Sequence, residues 1–123
     1  MEKKVIVIFD DDVHMAEVLK INLESTIECL GLPYRDARKC LEDIENGLRF
    51  DILITDLAVE RDSETLVSGN LNGEDIGRKV RELYPQVPII TLSGIRDKPP
   101  YSSYHLRKVV TLSEIVDAIR HVS

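Results

Sequence analysis

The sequence predicts an α/β fold: a doubly wound, five-stranded parallel sheet with its fourth helix reduced or missing. Three observations predict it. Short apolar runs alternate with stretches whose apolar residues recur at helical spacing. The first run, VIVIF at 5–9, is continuous rather than alternating, as a strand buried on both faces requires. Several runs also finish on chemically capable residues, the first on Asp10-Asp11-Asp12. Strands separated by crossover helices pair in parallel, with right-handed connections.

The elements follow in order. Residues 5–9 make the first strand. A helix is expected over 13–24, with Ala16, Leu19, Leu23 and then Ile27 in register and Asp12 as its cap. Residues 26–30 read as a short second strand, punctuated by Gly31 and Pro33. Ala37, Cys40, Leu41 and Ile44 form the stripe of a second helix that Gly47 ends. FDILIT, 50–55, is the third strand and runs into Asp56.

Residues 58–70 (AVERDSETLVSGN) break the rhythm and read as a long polar loop. Asn72-Gly73 is a turn signal. Ile76, Val80 and Leu83 mark a third helix that Pro85 stops. VPIITL, 87–92, is a fourth strand leading into Ser93-Gly94. Pro99-Pro100 forbids a regular helix in the next connection. Residues 104–107 form a short fifth strand followed by Lys108. Thr111-Leu-Ser-Glu114 is a capping box that opens a last helix through Leu112, Ile115, Val116 and Ile119.

Composition narrows the class. The 123 residues suit one domain, taken as 1–123. The apolar fraction is 43% and the net charge −6, ordinary for a globular chain and against non-specific nucleic-acid binding. Five apolar residues after Met1-Glu-Lys-Lys are too few for a signal peptide or a membrane span. Cys29 and Cys40 lie in apolar surroundings, with no CxxC pattern, and read as buried reduced thiols of a cytoplasmic protein.

In this topology all the carboxyl ends of the strands open on one edge. Strand one delivers Asp10 and Asp11, strand three Asp56, strand four Ser93 and strand five Lys108. Like charges so placed repel one another, and a cation answers that repulsion. Hard oxygen ligands of this kind suit Mg²⁺. His14 and His121 read as surface residues, and His105 as a strand residue.

These residues, in this order and on these elements, resemble the receiver domain of two-component response regulators (CheY-like). The likeness spans essentially the whole chain. It implies that Asp56 accepts a phosphoryl group from a sensor histidine kinase or a histidine phosphotransfer protein. It implies that Asp10, Asp11, Asp56 and the backbone carbonyl of Ala58 hold Mg²⁺. Lys108 binds a phosphoryl oxygen in that scheme, and the Ser93 hydroxyl turns inward to report its arrival. The chain is then an acceptor rather than a turnover enzyme. Ala58 and Ile95 occupy the family's water-access positions; both are apolar, which implies slow loss of the phosphoryl group.

Departures from the family are equally specific. Gly73 lies 17 positions beyond Asp56, so the intervening connection is long and open to three roles: a lid, a docking surface or a disordered flap. Lys108 lies only 15 positions beyond Ser93, which leaves no room for a full helix. Val109 stands where the family commonly has proline. The family's switch aromatic corresponds to His105, beside Tyr104. Two other readings stay open. One is a pseudo-receiver, an interaction module that signals without phosphorylation. The other is a phosphohydrolase of the haloacid dehalogenase type, through Asp10-x-Asp12, although His14 does not match that pattern. The output partner is not specified by the sequence.

Overall fold

The apolar runs fold as strands of one sheet, the three most apolar of them in its interior. The computed structural model describes residues 3–57, 71–94, 97–108 and 110–123. Five strands, β1 (Lys4–Phe9), β2 (Cys29–Tyr34), β3 (Ile52–Asp56), β4 (Ile89–Ser93) and β5 (Tyr104–Arg107), form one sheet in the order β2-β1-β3-β4-β5. Every pair is parallel. Ile6 and Ile8 pack on one face with Ile52, Ile54, Ile90 and Leu92, while Val7 and Phe9 pack on the other with Leu53 and Ile89. Successive residues serve opposite faces and both faces are covered, which is why the run is unbroken.

Four helices cover the sheet among the described residues: α1 (Val13–Thr26), α2 (Ala37–Glu45), α3 (Gly73–Leu83) and α4 (Leu112–Val122). α1 and α4 pack through Ala16, Leu23, Ile115 and Ile119 on one side. α2 and α3 pack through Ala37, Cys40, Ile44, Ile76 and Val80 on the other. Each starts on a side-chain cap: Asp12 accepts from the His14 N–H (3.0 Å) and Asp36 from that of Arg38 (2.9 Å). Asn72 with Asp75, and Thr111 with Glu114, close full capping boxes. Gly47 follows α2 at φ +94°, the left-handed conformation that favours glycine. Cys29 and Cys40 are free, buried thiols.

The second strand differs from expectation. It runs from Cys29 to Tyr34, not over 26–30. α1 continues through Thr26 because Ser25 and Thr26 bond back to the carbonyls of Ile21 and Asn22. Pro33 lies inside the strand and not beyond it. β2 is an edge strand, where a missing donor is tolerated. Gly31 marks a close approach: its N–H donates to Glu24 of α1 (2.8 Å), which also pairs with Lys20. Leu83, expected on the apolar stripe of α3, is exposed. Tyr84 packs there instead, with its hydroxyl against the carbonyls of Ile44 and Leu48.

Between β4 and β5 the described residues contain no helix, as the short spacing predicts. Pro99, Pro100 and Tyr101 lie against α3, which holds Tyr101 and Ser103. Arg81 of α3 forks onto the Tyr101 carbonyl through Nε (3.2 Å) and Nη2 (3.0 Å) and reaches Ser103 Oγ (3.2 Å). The Tyr101 ring lies against Gly77, where an added Cβ would overlap it. Ser103 Oγ in turn accepts from the Ile89 N–H (3.0 Å). A guanidinium fork thus does the holding that a packed helix would otherwise do. Arg81→Ala is expected to lower unfolding stability in urea by about 2 kcal/mol, the range of hydrogen bonds to a charged group. Arg81→Lys should recover little, since an ammonium cannot fork. Wild-type stability in Arg81→Ala would contradict this role.

Candidate functional site

The first aspartates are adjacent in sequence but have separate jobs. The Asp10 N–H donates to the Tyr34 carbonyl (3.1 Å), extending the β1–β2 ladder by one residue. Its Oδ1 accepts from the Asp12 N–H (2.9 Å), which turns the chain toward α1. Asp12 caps α1. Asp11 is exposed. Asp56 is the last residue of β3 and only 6% exposed, and the next residue, Leu57, donates to the Leu92 carbonyl (2.7 Å).

One carboxylate oxygen from each of Asp10, Asp11 and Asp56 falls within 4.8 Å of the others. Lys108 Nζ forms an ion pair with Asp56 Oδ1. The backbone of Lys108 is fixed too, donating to the Ser93 carbonyl (2.8 Å). Ser93 ends β4 with its side chain fully buried. Asp10, Asp11, Asp56 and Lys108 therefore converge, and Ser93 ends the strand beside Asp56. Ala58, Ile95 and Val109, along with the long connection 58–70, lie outside the described residues.

Burial is the main reason the Asp10 carboxyl is pushed up to about 6. The Asp12 N–H opposes the shift, the charge of Asp56 adds to it, Lys108 opposes it and Asp11 adds to it. A buried acid of this kind is costly to ionise, and an added cation relieves the cost. Hard carboxylate oxygens this close fit a small divalent ion such as Mg²⁺.

The two switch candidates lie on opposite faces of the sheet. Tyr104 packs with the α1–α4 side and meets His121 edge-on, with centroids 5.1 Å apart. His105 pairs in register with Thr91, and its Nδ1 is 2.6 Å from Thr91 Oγ1. Thr91 Oγ1 also meets Ser102 Oγ (2.8 Å), which reaches the Tyr104 carbonyl (3.0 Å). Two hydroxyl hydrogens cannot fill three contacts, so the chain of bonds is complete when His105 Nδ1 carries a hydrogen. His14 and His121 are exposed, as expected.

Sequence reasoning missed three features. Thr91 and Ser102 pin His105; the available signal was a buried-strand threonine in VPIITLS. Thr55, in DILITD, is likewise fully buried and donates to the Gly73 carbonyl (3.0 Å). Finally, α1 carries an exposed apolar stripe, Met15 (53%), Val18 (48%) and Ile21 (58%). Part of it borders a groove between α1 and α4 that reaches Asp10 and Lys108. The signal was apolar residues at three-residue spacing outside the core stripe.

No protein-family model matches the chain. Solved structures do. A response regulator receiver domain of Clostridium thermocellum superposes with a TM-score of 0.78 at 24% identity, covering 97% of this chain and 93% of that one. A receiver protein of Sinorhizobium medicae gives 0.78 at 21% identity, covering 98% and 94%. A response regulator of Thermotoga maritima in complex with Mg(2+)-BeF gives 0.76 at 17% identity, covering 98% and 99%. Nearly the whole chain thus has the fold of response regulator receiver domains.

The raised Asp10 carboxyl makes a prediction about stability. Folded Asp10 keeps its proton up to about pH 6, while the unfolded chain releases it near 3.8. The folded state therefore binds more protons between these values, and the site's contribution to stability falls as pH rises through 6. Asp10→Asn should raise the Tm in metal-free buffer at pH 7.5, and the gain should shrink below pH 5. An equal Tm loss at both pH values would contradict it.

Proposed function

We propose that this chain is a phosphorelay receiver. Asp56 accepts a phosphoryl group from a phosphohistidine on a sensor histidine kinase or a histidine phosphotransfer protein. The observation that carries the proposal is the buried Asp56 carboxylate, paired with Lys108 and clustered with Asp10 and Asp11 at one sheet edge. The receiver fold of the structural neighbours supports it.

An Asp56 carboxylate oxygen attacks phosphorus, a P–O bond forms, the P–N bond to the donor imidazole breaks, and the imidazole leaves with that electron pair. Positioning and charge neutralisation supply most of the catalysis in such transfers. Lys108 already stands at Asp56 and is placed to shift onto a phosphoryl oxygen. Asp10, Asp11 and Asp56 would hold Mg²⁺, with the Ala58 carbonyl as a further ligand. The ion would neutralise charge that Lys108 alone leaves uncompensated. Ser93, with its backbone bonded to Lys108, would turn its hydroxyl to the new anion. The α1 stripe beside the groove offers the donor protein an apolar surface. Residues 1–123 would act as one receiver unit in the cytoplasm, as an acceptor and not a turnover enzyme, and without direct contact to nucleic acid.

The pseudo-receiver reading draws on the absence of a helix among the described residues between β4 and β5 and on the pinned His105. The phosphohydrolase reading weakens, because Asp12 is engaged as the cap of α1. Incubation with Mg²⁺ and a small acyl phosphate, followed by intact mass, separates them. The proposal expects a gain of one phosphoryl mass that Asp56→Asn abolishes. No gain in a folded chain would favour the pseudo-receiver. Steady turnover of a phosphate monoester would favour the hydrolase.

A further inference from the structure

We infer that Thr55 and Gly73 are the positioning pair of the Asp56 carboxylate, an inference that rests on Asp56 being the phosphoryl acceptor. A side chain at the end of a strand is aimed by the peptide units on either side of it. Before Asp56 those units are held by β1 and β4, through Thr55 opposite Phe9 and Asp56 opposite Leu92. After Asp56 the chain departs toward the connection 58–70. The Leu57 N–H still bonds the Leu92 carbonyl of β4 (2.7 Å), and α3 adds a second constraint on the other side of that peptide.

Gly73, the first residue of α3, sits directly on the Asp56 peptide. A Cβ added to Gly73 would overlap the Asp56 carbonyl oxygen, and would lie 2.7 Å from Thr55 Oγ1 and 3.0 Å from the Asp56 carbonyl carbon. Gly73 does not have a positive φ, so glycine is needed here for space and not for backbone conformation. The Thr55 hydroxyl, fully buried, then ties the Gly73 carbonyl to β3 at 3.0 Å. The start of α3 is itself rigid, closed by the Asn72–Asp75 capping box and anchored by buried Ile76 and Val80. A contact with the Asp56 peptide and a hydrogen bond from the Thr55 side chain thus seat the first turn of α3 on the end of β3.

Gly77, one turn further along α3, supplies the control. An added Cβ there would overlap the Tyr101 ring, a side chain on another part of the molecule and not the backbone of Asp56. Both glycine replacements disturb packing at α3, but only one touches the peptide of Asp56.

The test measures the rate of phosphoryl acceptance from a small acyl phosphate at saturating Mg²⁺, and the Tm, in the full chain. Gly73→Ala and Thr55→Val are expected to slow acceptance about tenfold or more, as displacement of a reacting group does. Thr55→Ser keeps the hydroxyl and should stay near the wild-type rate. Gly77→Ala should lose Tm while accepting within about twofold of wild type. If Gly73→Ala fails to fold, Thr55→Val against Thr55→Ser decides. Wild-type rates in Gly73→Ala and Thr55→Val, or an equal slowing in Gly77→Ala, would overturn the inference. If the wild type itself accepts nothing, the receiver reading fails instead. The positioning role is then read from the ¹³C carboxyl signal of Asp56: movement in Gly73→Ala and Thr55→Val but not in Gly77→Ala supports it, and no movement overturns it.

Discussion

The gathering of Asp10, Asp11 and Asp56 at one partly buried sheet edge, where desolvation first and mutual repulsion second oppose the ionisation of Asp10, is the constraint around which this site is arranged. Three carboxylates share one end of the sheet, with Lys108 ion-paired to the most buried of them. The fold tolerates this on apolar cores packed against both faces of the sheet. It also gives two of the three acids a fixed setting. Asp10 is bound into the ladder and the turn, and Asp56 ends a buried strand under the first turn of α3. Charge gathered in this way is relieved by an added cation.

The departure from a regular α/β pattern lies on the far side of β4. A helix there would cover β4 and β5 with apolar side chains. Instead, Arg81 holds Tyr101 and Ser103, Tyr101 fills the space over Gly77, and Ser102 continues a buried hydroxyl chain to Thr91 and His105. The polar lining goes with the absence of a helix among the described residues of this connection: a non-helical segment has fewer backbone partners of its own, and side chains supply the rest. His105 is a member of that lining, held against β4 by Thr91.

Much of this was legible in the residues. Continuous apolar runs identified β1, β3 and β4, because burial on both faces favours apolar residues at successive positions. The strand-end acids and Lys108 located the site edge, because parallel topology brings those ends together. The second strand was misplaced because Gly31 and Pro33 look like punctuation. Strand order alone turns Pro33 into a harmless edge residue and Gly31 into a close contact with α1. Leu83 fits the helical period, yet Tyr84 takes the core position. The Thr55–Gly73 clasp and the Thr91–Ser102–His105 chain each join residues distant in sequence. No local spacing announces such pairs.

The central claim is that the acid cluster at the sheet edge is a cation site. Calorimetric titration of the folded chain with Mg²⁺ tests it most directly, run at pH 7.5 and pH 5 beside Asp10→Asn. The account predicts a single Mg²⁺ per chain at pH 7.5, weaker binding at pH 5 as Asp10 takes up its proton, and loss of affinity in Asp10→Asn. An absence of binding at pH 7.5, or binding that neither pH nor Asp10→Asn alters, would contradict it.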